Sequence, residues 1–171
     1  MNMDTLPLHP KLVHLPIALA VLMPLITSGL LLAWWRGWFQ KRTWAVAVVL
    51  QAVLLLSGVL AMRTGEADED RVERIVPKDA IHAHEEAGEV FVWGSGLVLV
   101  LSLLPLLFRT PRLARITGLA TVAGTFVVLG LGYRVGEAGG ALVYRHGAGG
   151  AFATSDSGTP PAALRGRHDD R

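Results

Sequence analysis

Five of the six histidines in this 171-residue chain stand at the edges of apolar runs. His9 and His14 open the first run in LHPKLVHLP, His82 and His84 precede the third in HAHEE, and His146 follows the fourth in YRHGAGG. Imidazole can ligate a transition metal or haem iron, exchange a proton near neutral pH, or hydrogen-bond a freed carbonyl. The chain has no cysteine, which removes disulfides, thiolate zinc sites, iron–sulfur clusters and covalent c-type haem attachment. Any cofactor therefore falls to histidine, carboxylate, methionine or backbone ligands.

The elements that must carry these histidines follow from composition. The chain is 51% hydrophobic and 18% charged, with a mean hydropathy of +0.43, too apolar for a small soluble domain. Stretches 12–35, 44–62, 90–108 and 116–133 approach or exceed the roughly 20 helical residues that cross a hydrocarbon core. The expected fold is all-α: a four-helix transmembrane bundle over residues 1–150, with an acidic loop at 63–89 and a disordered polar tail at 151–171. The first run reads as a retained anchor, because Asp4 and a single lysine precede it and the basic cluster comes after it. Pro16 and Pro24 lie inside it and remove backbone bonds to Leu12 and Ala20, which predicts kinks and freed carbonyls.

Short loops give the orientation. Arg36, Lys41 and Arg42 lie between the first two spans and Arg109, Arg112 and Arg115 between the last two, which predicts that both loops are cytoplasmic. Trp34, Trp35, Trp38 and Trp44 suit an aromatic belt there. The 63–89 connection carries nine acids against four bases and suits the outer side, where both termini also fall. The five histidines then share the outer face, and His168 lies in the tail.

Helical spacing sorts the residues further. The third span is expected to begin near Lys78, and at 100° per residue His84, Gly88, Ser95 and Ser102 fall on one small, polar stripe facing inward. His82 points the other way, towards water with Glu86 and Glu89. Gln51, alone in the second span, predicts an interhelical partner. Thr117, Thr121 and Thr125, then Gly132, Gly136 and Gly140, form stripes that allow close helix approach, within the chain or in a homodimer through the glycines. A net charge of +2 with scattered bases argues against nucleic acid. The glycine-rich GYRVGEAGGALVYRHGAGG follows no strand and opens no helix, so it is a poor phosphate loop.

Taken together, HPKLVHLPIAL, TGEADED, HAHEEAGE and GGALVYRHGAG resemble the bacterial membrane family known as domain of unknown function two-two-three-one, over most of the chain from Leu8 to about Gly149. His9, Pro10, Val13, His14 and Pro16 match that family's opening, with Leu15 in place of its usual aromatic. Thr64, Gly65 and Glu66 match a Thr-Gly-Glu after the second span, and His84 and Glu85 a His-Glu before the third. Gly139, Gly140, Leu142, Val143, Tyr144, His146 and Gly147 match its close, although Glu137 and Ala141 stand where relatives often carry another polar residue. The resemblance implies a bacterial inner-membrane, multi-pass protein. Some relatives are fused to or encoded near cytochrome-type modules, which implies redox work. No established activity comes with it.

Three chemistries suit the histidines. The first is a b-type haem near the outer face, with His14 and His84 as ligands, Gly88 leaving room for the macrocycle and Tyr144 closing the site. The second is a divalent or transition-metal site drawn from His9, His14, Glu66, His84, Glu85 and His146. In the third the protein is a scaffold or partner subunit, its histidines bonding freed carbonyls and Glu66 or Glu85 pairing with Arg134 or Arg145. A transporter lacks support, since no inverted repeat and no ionisable residue at mid-membrane depth appears. Neither HExxH nor GxSxG occurs, and no catalytic residue is assigned.

Overall fold

Proline decides where the first long helix begins. Pro16 cannot donate to the Leu12 carbonyl, so the hydrogen-bond ladder is interrupted once between a first turn, α1 (His9–Leu12), and the long α2 (His14–Trp35), while Val13 keeps helical dihedrals and the two run on as one helix. The computed structural model describes residues 8–150. Three further long helices follow: α3 (Ala45–Val72), α4 (Lys78–Leu107) and α5 (Pro111–Tyr144), with a 3₁₀ turn, Lys41–Trp44, leading into α3. There is no strand among the described residues. Pro24 is buried inside α2, and Thr27 turns its hydroxyl back to the Met23 carbonyl at 2.7 Å.

Four helices are long and apolar enough to cross a membrane. α2, with 22 residues, is about the length of the hydrocarbon core, whereas α3, α4 and α5 have 28, 30 and 34 residues. Short turns join the helices at the end that carries Arg36 and Arg112, so the surplus length projects from the other end, where the histidines are. The 63–89 stretch expected as a loop is therefore mostly helix, broken only around the turn before Pro77. Val76, Ile81 and Ala148, with Val72, Ala80 and Leu142 against them, form a small apolar cap on this projection.

Two apolar clusters fill the bundle. Leu19, Ala20, Met23, Leu54, Phe91, Val98 and Val128 lie towards the histidine end, and Leu31, Trp44, Ala47 and Val122 towards the basic end. Between them on α2, α3 and α5 fall Thr27, Gln51 and Thr125, all fully buried. Gln51 donates to the Ser95 carbonyl on α4 at 3.0 Å, the interhelical partner its isolation predicted. Thr27 and Thr125 hydroxyls meet at 3.3 Å. Each bond joins two helices where lipid offers no alternative partner.

α4 and α5 pack most closely, through glycines that receive each other's side chains. A Cβ on Gly124 would stand 2.7 Å from Val98 Cγ2, and one on Gly94 2.8 Å from Leu131 Cδ1. These positions should respond differently to alanine. Val98 is buried and β-branched, so it has no easy rotamer to give; Leu131 offers the far end of a flexible side chain. Gly124→Ala is expected to destabilise by about 1–2 kcal/mol despite its better helix propensity, and Gly94→Ala to be near neutral. Unfolding in detergent measures both, and Val98→Ala should rescue Gly124→Ala.

Candidate functional site: a histidine pair at the projecting end

α1 leads directly into α2 as the first turn of one helix, and its His9 reaches across to α3. Its Nδ1 donates to the Ala61 carbonyl at 2.7 Å. A carbonyl only accepts, so this bond fixes the proton on Nδ1 and leaves the Nε2 lone pair of the neutral ring free. Gly65, one turn further along α3, is the seat for the ring: a Cβ there would lie 3.2 Å from His9 Nδ1.

His84 comes in from α4 on the inward stripe. Its ring lies against Gly139 of α5, where a Cβ would stand 3.1 Å from His84 Cε1, and the Val135 carbonyl faces it. The His84 Nδ1 is buried and has no hydrogen-bond partner among the described residues. Its neighbour is His9: the ring centroids are 6.2 Å apart and the planes are at 88°. One turn below His84, a Cβ on Gly88 would meet nothing within 4 Å. Two imidazoles, each seated on a glycine of another helix, thus meet at this end of the bundle.

The other expected site residues are elsewhere. His14 is exposed on the first turn of α2, its Nδ1 3.3 Å from the Lys11 carbonyl; the ring beside His84 is His9, not His14. Helical spacing is the reason: five residues apart, His9 and His14 lie about 140° from each other around the axis and face different ways. Glu66 is exposed, and Glu85 turns to His82 Nδ1 at 3.2 Å. His146 is half-buried beyond the end of α5, next to Gly147 with its positive φ of 69°. Tyr144 is 91% exposed and does not close the site. No three His, Asp or Glu side chains gather as a metal-binding group among the described residues, so the six residues considered for a metal do not form one ligand set.

The pairing of Glu66 or Glu85 with Arg134 or Arg145 is likewise not made. Among the described residues the ion pairs are Lys78–Glu73 at 3.1 Å and His82–Glu85. The glycine stripe is divided: Gly132 packs within the chain, its Cβ position 3.4 Å from Phe91 and 3.6 Å from Ala20, whereas Gly136 and Gly140 face open space. Sequence reasoning missed the pairing of His9 with His84. Its signals were the five-residue spacing of His9 and His14, which sets them on different faces of one helix, and Gly65, which leaves room on α3 for a ring.

Four apolar helices with exposed apolar flanks, tied together by buried polar contacts, define a multi-pass membrane protein. The chain belongs to the family described as predicted membrane protein (DUF2231), whose model matches residues 5–151. No curated protein and no solved structure matches it.

Proposed function

We propose that this protein is a redox subunit of a bacterial cytoplasmic membrane that binds a b-type haem through His84 and His9, with the histidine end on the outer side. The observation that carries the reading is the buried, unpartnered Nδ1 of His84 next to a ring whose own proton is committed to the Ala61 carbonyl. A carbonyl behind an imidazole orients it and raises its basicity as a ligand. Two imidazoles without a third side-chain ligand suit haem iron, whose macrocycle supplies the in-plane ligands, better than a divalent ion that needs three or four protein groups. The open space at Gly88 favours a flat group there. Bound haem would supply one-electron transfer near the membrane surface.

The test is an absorbance spectrum of the protein purified in mild detergent, oxidised and dithionite-reduced, with metal analysis on the same sample. The expected result is a Soret band that shifts on reduction, with iron near one per chain. A flat visible spectrum sinks the haem reading. A stoichiometric metal without the band would then point to an ion site, and no metal to a scaffold in which His9 only docks α1 on α3. The proposed orientation has its own measurement: a reporter fused after Arg115 should read as cytoplasmic and one after Gly147 as external.

A further inference from the structure

The end of the bundle opposite the histidines carries a second feature. The turns at 36–43 and 108–115 contain Arg36, Lys41, Arg42, Arg109, Arg112 and Arg115 and not one acid. Among the described residues no carboxylate pairs with any of these cations. A groove of about 370 Å³, lined by Gln40, Lys41, Arg42 and Leu106, opens between the first of these turns and the end of α4. It is held in shape from both sides: Lys41 Nζ donates to the Phe108 carbonyl at 2.6 Å, and Trp44, at the end of the same 3₁₀ turn, donates from Nε1 to the Ser102 carbonyl at 2.9 Å. The ammonium of Lys41 keeps further N–H groups beyond that bond, and Arg42 is exposed with its whole guanidinium fork available.

Depth identifies the occupant. Trp35, Trp38 and Phe39 are 44%, 70% and 49% exposed around the same rim, and exposed aromatic side chains of a membrane protein settle at the level of lipid headgroups. The groove thus sits where phosphodiesters lie, with an apolar wall from Leu106 leading towards the acyl chains. Basic pockets between membrane helices bind anionic headgroups, at about 1 kcal/mol for each lysine or arginine near the surface. We propose that the groove between the first basic turn and the end of α4 is a binding site for the phosphodiester headgroup of an anionic phospholipid, held by Lys41 and Arg42 with its acyl chains along Leu106. The site is independent of the histidine pair and of which side of the membrane it faces.

The experiment uses the full chain reconstituted in nanodiscs of phosphatidylcholine doped with a brominated phosphatidylglycerol, reading quenching of the rim tryptophans, with brominated phosphatidylcholine as the reference. The expected result is preferential quenching by phosphatidylglycerol. The preference should fall about fivefold in Arg42→Gln, whose side chain is exposed and free of structural bonds, further in Lys41→Gln/Arg42→Gln, and little in Arg112→Gln/Arg115→Gln. Equal quenching by the two lipids overturns the proposal. So does an equal loss in the Arg112/Arg115 variant, which would reduce the effect to diffuse surface charge. A third arm adds inorganic phosphate to the phosphatidylglycerol discs: competition at millimolar phosphate, well beyond the effect of matched chloride, would mean a free-phosphate site and overturn the lipid assignment.

Discussion

His84→Ala is expected to abolish the Soret band of the purified protein while leaving the apoprotein nearly as stable as before. Both halves follow from the same geometry. The imidazole provides the buried Nδ1 that has no partner among the described residues, so removing it deletes the proposed ligand and also an unsatisfied polar atom. Losing the unpartnered nitrogen offsets part of the lost packing and of the lost approach to the Val135 carbonyl. His9→Ala should also lose the band, but by a different route, since it removes the bond to Ala61 and with it the tether of α1 to α3. That variant should be less stable by about 1 kcal/mol. His14→Ala should keep the band, because its ring faces the Lys11 carbonyl on the exposed side. Reduced-minus-oxidised spectra and thermal unfolding of the three variants decide the matter. A band lost in His14→Ala and kept in His9→Ala would reverse the assignment of the second ligand.

The second large effect is expected at the other end, from Trp44→Ala. Trp44 is 2% exposed and lies among Leu31, Ala47 and Val122, with the Trp34 ring 6.4 Å away and the Gly118 backbone below it. Its indole N–H spans to the Ser102 carbonyl of α4. One side chain therefore touches all four long helices where they leave the membrane. Lipid tails are as apolar as leucine, so the loss is one of packing contacts and a hydrogen bond more than of a hydrophobic driving force. The cavity left by a tryptophan is nevertheless large, and the expected cost is about 3 kcal/mol. Trp44→Phe keeps most of the volume and loses the bond, and should cost about 1 kcal/mol. Unfolding in mixed micelles gives both values; equal stability of the two variants would show that only the hydrogen bond matters.

The helical membrane architecture was legible in the sequence because crossing a bilayer requires long apolar runs, and little else produces them. The start of α4 at Lys78 was legible too, from Pro77 and the spacing of His84, Gly88, Ser95 and Ser102. What hydropathy could not show is how far helices continue in water. Glu66, Asp68, Glu69 and Asp70 extend α3, and Arg134 and Glu137 extend α5, because a helix leaving the membrane needs only exposed charged side chains, and these read as loop in an apolar window. The site was half legible. His84 announced itself by its stripe, but its neighbour depended on which face of the first helix packs on α3 and on glycines of two other helices. Such a contact has no period within any one element.

The way His9 and His84 meet also sets an order of events during synthesis. The first ring belongs to the turn before α2 and waits on α3 for its carbonyl and glycine, while the second arrives only with α4, and its seat at Gly139 only near the end of α5. A nascent chain can insert its early helices and already be anchored, yet it has nowhere to receive a ligand at this place. Completion of the pair is thus a late step of biogenesis, and a chain truncated after α3 would remain a membrane protein without ever bringing the two histidines together.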